Sequence, residues 1–156
     1  MYDVKGNLHE VLGSLPAGVS LVAISKFHPN EFIEAAYAEG QRIFGESHEQ
    51  ELAKKVASLP KDIQWHFIGH LQSNKVKYIA PYISMIESVD SLKLLKEINK
   101  QAAMSPSILC EVEAPVRMPT WNGLPASCSA TALLESSRKV ALGTPFGVKP
   151  LKPIVS

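Results

Sequence analysis

From Val19 to about Ala103 the chain alternates short, largely apolar runs with helix-like segments, joined by connections of only a few residues. That alternation constrains the fold more than any other feature, because parallel strands must be joined by crossovers, and short connections leave a helix as the crossover. Strands are expected at residues 20–25, 42–44, 64–68, 85–88 and 108–112. They are apolar on both faces rather than alternating, as strands covered by helices are. Helices are expected at 31–39, capped by Asn30 and ended by Gly40, and from about Ser47 to Ser58. Two more are expected at 75–80, with Ser73 as N-cap, and at 92–102, opened by Ser91 and carrying an apolar stripe of Leu92, Leu95 and Ile98.

Each strand–helix unit takes about two dozen residues, close to the repeat of a (β/α)8 barrel of about 250 residues. The expected fold class is therefore α/β, of the TIM-barrel type, with about five units. A doubly wound sheet is the alternative, but no glycine-rich dinucleotide fingerprint follows the first strand. Beyond Ala103 the character changes. Seven of the eleven prolines lie between Ser105 and Ser156, Asp is absent there, and Pro115, Pro119 and Pro125 each block regular helix or central strand. Helical periodicity survives only around residues 131–140. A tail of this length cannot complete eight units. The expected organisation is a partial barrel domain at 1–112 and an aberrant, proline-rich, poorly ordered tail at 113–156.

Composition narrows the function classes. Sixteen basic residues against fifteen acidic ones give no electrostatic reason to expect nucleic acid or a membrane surface. Cys110 and Cys128 form no C-x-x-C pair, which fits a reducing compartment without a disulfide framework or zinc site. The first ten residues carry charges throughout and have no apolar h-region, so no signal peptide is expected, and no window approaches a membrane span. The expected location is cytoplasmic.

Lys26 ends the first apolar run and is followed at once by a break, Phe27-His28-Pro29. Parallel α/β folds place their chemistry at the C-terminal ends of strands. An amine there can be partly desolvated, which makes it a nucleophile toward carbonyls; most strand-end lysines are simply solvated charges. The segment Trp65-His-Phe-Ile-Gly-His-Leu-Gln-Ser-Asn-Lys75 is the densest cluster of potential chemistry, with His66 in a strand and His70 in the following loop. A strand broken by Gly69 does not hold two histidines as metal ligands, and no carboxylate lies at suitable spacing, so no metal is expected. His66 reads as a hydrogen-bonded core or pocket residue and His70 as a rim residue. Asn74 and Lys75 could meet an anion at a helix start, or form a solvated turn. In Phe44-Gly45-Glu46-Ser47, Gly45 permits close backbone approach and Ser47 either caps the next helix or offers a hydroxyl to a ligand. Glu46 reads as acid–base machinery or as a carboxylate favoured in a helix's first turn. No nucleophile elbow or P-loop is present.

Taken in order, Leu21-Val-Ala-Ile-Ser-Lys26, Gly40-Gln-Arg-Ile-Phe-Gly-Glu46, Trp65-His-Phe-Ile-Gly-His-Leu-Gln72 with Asn74-Lys75, and Ser88-Val-Asp90 resemble the YggS/PROSC family. These are pyridoxal 5′-phosphate homeostasis proteins, similar in fold to the N-terminal barrel of alanine racemase. The resemblance covers about Leu8 to Ala103. It implies that Lys26 carries pyridoxal 5′-phosphate as a covalent aldimine and that Phe44, Ser47 and His66 line the cofactor pocket, with no catalytic residue and no metal. It further implies a carrier or regulator in vitamin B6 and amino-acid homeostasis rather than an efficient enzyme, with pyridoxal phosphate-dependent enzymes as recipients of cofactor. Family members commonly have asparagine where this chain has Ser47. The segment Val140-Ala-Leu-Gly-Thr-Pro-Phe-Gly147 echoes the family's closing arginine–glycine–phenylalanine–glycine stretch, with Ala141 where the arginine would be. The alternatives are a racemase-like enzyme on the same Schiff base, which lacks a second, tyrosine-bearing domain here, and a defective fragment that binds no cofactor.

Overall fold

The computed structural model describes residues 3–104, 109–112 and 140–143. The elements run α1 (Val4–Ser14), β1 (Ser20–Ile24), α2 (Asn30–Ala38), β2 (Ile43–Glu46), α3 (Glu49–Ser58), β3 (Gln64–Phe67), α4 (Val76–Ile79), β4 (Ile83–Val89), α5 (Leu92–Ala102), β5 (Leu109–Val112) and β6 (Val140–Gly143), with a 3-10 turn over Ser73–Lys75 before α4. The six strands form one sheet in the order β5-β4-β3-β2-β1-β6, and all five pairings are parallel. Strands β1 to β5 are neighbours in chain order, as in a barrel wall, and the expected α/β barrel-type class holds. β6 pairs with the outer edge of β1, Ser20 opposite Val140 and Ala23 opposite Gly143, the place of the strand that closes a barrel.

The helices pack on one face of this sheet. Leu21 and Ala23 of β1, Phe44 of β2, Trp65 and Phe67 of β3, and Ile83, Ile86 and Val89 of β4 join Leu8, Ile33, Leu52, Ile79, Leu94 and Ile98 in a single core. The intervening strand residues therefore point to the opposite face. Val22, Gly45 and Ile68 meet there, since a Cβ on Gly45 would lie 3.2 Å from both neighbouring side chains. The register sets Ile24, Gly45, His66 and Met85 in one row across β1 to β4.

Several local expectations are corrected. α1 is a helix beyond those expected from the sequence; Asp3 caps it by accepting a 2.9 Å hydrogen bond from the Gly6 N–H. Asn30 is the first residue of α2 rather than its cap. Pro29 precedes it, and the Asn30 amide donates to Ser58 Oγ at 2.8 Å. Ser47 does not cap α3, because His48 stands at that position, and Ser73 opens the 3-10 turn without a capping bond. Ser91 does cap α5, accepting from the Leu94 N–H at 3.3 Å. Gly40 ends α2 at a φ of +96°, which glycine adopts without strain. β2 runs on to Glu46, so Glu46 lies in a strand and not in a helix's first turn. Of the helical periodicity expected at 131–140, Val140 lies in the strand β6 and the remainder lies outside the described residues.

Candidate functional site

The C-terminal ends of β1, β2, β3 and β4 share one edge of the sheet, and the expected site residues gather there with one exception. Half-buried Lys26 leaves β1 in a tight turn, where the Ser25 carbonyl accepts from the His28 N–H at 3.0 Å and Phe27 has a φ of 64°. A positive φ at the third residue is the mark of a type II turn, and for phenylalanine it is a strained conformation. Strain of this kind persists only when the surroundings over-determine it, and here they do. Ser25 is buried and donates its hydroxyl to Glu46 Oε1 at 2.6 Å. The Ser25 carbonyl accepts from Lys55 Nζ at 2.8 Å, and the Phe27 N–H donates to Glu51 Oε1 at 2.8 Å.

Lys55 of α3 is the centre of this arrangement. Its ammonium lies 2.7 Å from Glu46 Oε1 and 2.6 Å from Glu51 Oε1, under a fully buried Glu46. Burial pushes the Glu46 carboxyl above its ordinary range, outweighing the hydrogen bonds from Lys55 and Ser25 that favour the carboxylate. The other carboxyl oxygen, Oε2, is buried without a hydrogen-bond partner. Glu51 is pushed up by burial too, but the Lys55 ammonium and the Phe27 N–H together hold it below the usual range. No local sequence pattern points to Lys55 or Glu51; a lysine nine residues after a strand-end glutamate carries no signal until the helix folds back over the strand.

His66 is nine-tenths buried, in the row opposite the helices, with Nδ1 2.6 Å from Glu87 Oε1 of β4. Glu87 is a third site residue absent from the sequence-based expectations, although a carboxylate inside the apolar run Met85-Ile-Glu-Ser-Val89 is its trace. Ser47 is half-buried and touches the loop after β3. A Cβ on Gly69 would come within 2.8 Å of the Ser47 Cβ, so only glycine lets the two loops meet this closely. The Ser88 hydroxyl donates to the Gly69 carbonyl at 2.5 Å and ties that loop to β4. Ser47, His48, Phe67, Gly69 and Gln72 line part of a cleft of about 380 Å³. His70 is exposed on the rim and pairs with Asp90 at 2.9 Å. Lys75 is ion-paired with Glu49, so its charge is already engaged. Phe44 is the exception. It is fully buried on the helix face, its ring tilted against Trp65 with centroids 6.0 Å apart, and is not brought together with Lys26, Ser47 and His66. Among the described residues no group of three or more His, Cys, Asp or Glu side chains could hold a metal ion, and no helix is long and apolar enough to cross a membrane.

No family model matches the chain. The pyridoxal phosphate homeostasis protein of Schizosaccharomyces pombe is 52% identical over 83 residues, covering 52% of this chain and 35% of that protein. The protein of the same name from Synechocystis is 42% identical over 95 residues, covering 60% and 44%. Among solved structures, PipY of Synechococcus elongatus with pyridoxal phosphate bound matches with a TM-score of 0.64 at 30% identity, over 94% of this chain and 73% of PipY. The chain belongs to the YggS/PROSC family of pyridoxal phosphate homeostasis proteins. It spans less than half the length of these two curated relatives. Alanine racemase from Enterococcus faecalis shares the barrel-type fold, with a TM-score of 0.52 at 18% identity over 63% of this chain and 27% of the racemase.

Proposed function

We propose that the chain binds pyridoxal 5′-phosphate through a Schiff base on Lys26 and acts as a carrier or regulator of the cofactor in vitamin B6 homeostasis rather than as an efficient enzyme. The observation that carries this reading is the turn at Lys26. A single half-buried amine stands at the end of a parallel strand, on a turn whose strained backbone is held by Ser25, Glu46, Glu51 and Lys55. Rigid placement of one amine at the edge of a concave face suits reversible capture of an aldehyde. Gly45 lies beneath the Val22 and Ile68 side chains and Gly69 against Ser47, and His66 offers a polar atom on the face opposite the helices. When bound, the cofactor would supply the electrophilic aldehyde; Lys26 would supply the amine, His66 and Ser47 would line its pocket, and the Ser25 turn would hold the amine in place. The names of the curated relatives and the cofactor bound to PipY support the same assignment. Pyridoxal phosphate-dependent enzymes are the proposed recipients.

The test is borohydride reduction of the chain in the presence of pyridoxal phosphate, followed by mapping of the labelled peptide by mass spectrometry. One label per chain on Lys26, absent from Lys26→Ala, is expected. Label spread over surface lysines and equal in Lys26→Ala would overturn the reading and leave a fragment that keeps the family's sequence without its ligand.

A further inference from the structure

Glu87 has no part in the proposed function, and its pairing with His66 has a specific geometry. His66 lies between Trp65 and Phe67, both committed to the helix-side core, so its ring is on the opposite face, in the row of Ile24, Gly45 and Met85. Lys26 follows two residues after Ile24, at the rim of that face. The His66 side chain is 9% exposed and that of Glu87 11%, and Nδ1 sits 2.6 Å from Glu87 Oε1. Among the described residues the other ring nitrogen, Nε2, has no hydrogen-bond partner. A nitrogen facing a carboxylate at that distance carries the proton, so a neutral imidazole here is the Nδ1–H tautomer and Nε2 presents a lone pair.

We infer that Glu87 is a positioning residue which fixes the tautomer of His66, so that Nε2 stands as a hydrogen-bond and proton acceptor on the face that carries Lys26. The inference rests on the proposed use of that face as the ligand site. Its chemical consequence is selectivity. A carbonyl compound held by the Lys26 amine binds well only if it also carries a donor, a hydroxyl or a protonated nitrogen, for Nε2. A ligand with an acceptor there meets a second lone pair and is disfavoured. When the donor gives up its proton, the proton moves to Nε2, and the imidazolium so formed is balanced by the Glu87 carboxylate at Nδ1.

The test uses the full chain and the variants Glu87→Gln, His66→Gln and the double variant. Glutamine at 87 can donate as well as accept, so it no longer selects one tautomer. Nitrogen-15 spectra of the imidazole without ligand should show Nδ1–H and a bare Nε2 in the parent chain, and a mixture of tautomers in Glu87→Gln. With pyridoxal phosphate as probe, Glu87→Gln should weaken binding about tenfold, the size of one buried hydrogen bond. His66→Gln should weaken it as much, and the double variant should lose no more than His66→Gln alone, while circular dichroism and the melting curve stay those of a folded chain. A parent chain with Nε2–H, a tautomer unchanged by Glu87→Gln, or losses that add in the double variant would each overturn the inference. If the parent chain takes no label at Lys26, the proposed function fails, and the ligand-free spectra still decide the role of Glu87.

Discussion

At the scale of single residues, the site depends on atoms that are missing as much as on those present. Gly69 allows the loop after β3 to lie against Ser47, and its Cβ position is 2.8 Å from the Ser47 Cβ. Gly69→Ala must push the two loops apart. A cost of about 1–3 kcal/mol is expected, as for other overpacked positions, read as a lower denaturant midpoint at unchanged slope. Phe27 makes the opposite case. Its φ of 64° costs about 1–2 kcal/mol for a residue with a side chain, while the residue is 73% exposed and gains little by burial beyond the tilted contact of its ring with His48. Glycine there loses about 0.5–1 kcal/mol through the unfolded chain, so Phe27→Gly should stabilise the fold by roughly 0.5–1 kcal/mol in a thermal or urea melt. A melt unchanged or lowered would mean that the turn is not strained at this residue. Lys26 was legible in the sequence because it ends an apolar run before a break. The partners that hold its turn were not, since Glu51 and Lys55 come from a helix whose docking angle no local pattern states.

At the scale of elements, α3 and β2 are joined by a buried charge cluster rather than by apolar contact alone. Removing one partner of a buried pair leaves the other uncompensated, at a cost of about 3–5 kcal/mol. Lys55→Met should therefore destabilise the chain by an amount of that order near neutral pH, because Glu46 is fully buried and the Lys55 side chain only 6% exposed. The pH dependence separates the two carboxylates. Glu51 has a folded pKa below its unfolded value, so its contribution is present above the ordinary glutamate range and is lost as pH falls through the folded pKa. Glu46 is shifted the other way, so its contribution is complete below that range and is lost as pH rises. In Lys55→Met, acid should let Glu46 fold protonated and narrow the deficit against the parent chain. Glu51→Gln should flatten the acid limb of the parent's stability profile. A deficit in Lys55→Met that is independent of pH would show that packing, not charge, is what Lys55 contributes. The elements themselves were mostly legible, since apolar runs and punctuating residues mark β1 to β5 and the helices between them. The helix α1 was not, because its apolar positions are few and only Val4 and Leu8 are buried.

At the scale of the whole molecule, the question is what a chain with five consecutive barrel units does with its open edge. Residues 1–112 supply the wall from β1 to β5, and we propose that this stretch acts as one partial barrel domain. β1 would be an edge strand in that wall, but β6 covers it from a segment 28 residues beyond β5 in the chain, counting from Val112 to Val140. Only the echo of a closing stretch at 140–147 hinted at this pairing; the proline-rich composition around it reads as a tail, and long-range parallel pairing leaves no local pattern. An uncovered edge invites pairing with another chain, so β6 should protect β1 in a residue-specific way. The Ser25 N–H donates to the Gly45 carbonyl of β2 at 3.0 Å. With the period of two along a strand, the Ala23 N–H turns toward β2 as well, and the Val22 N–H turns toward β6. A chain ending at residue 139 should therefore keep slow hydrogen exchange at Ala23 and Ser25 and show faster exchange at Val22, together with concentration-dependent association in sedimentation. Equal exchange at Val22 with and without β6 would mean that the closing strand contributes nothing to the wall. The site on β1 to β4 would then stand on the first five units alone.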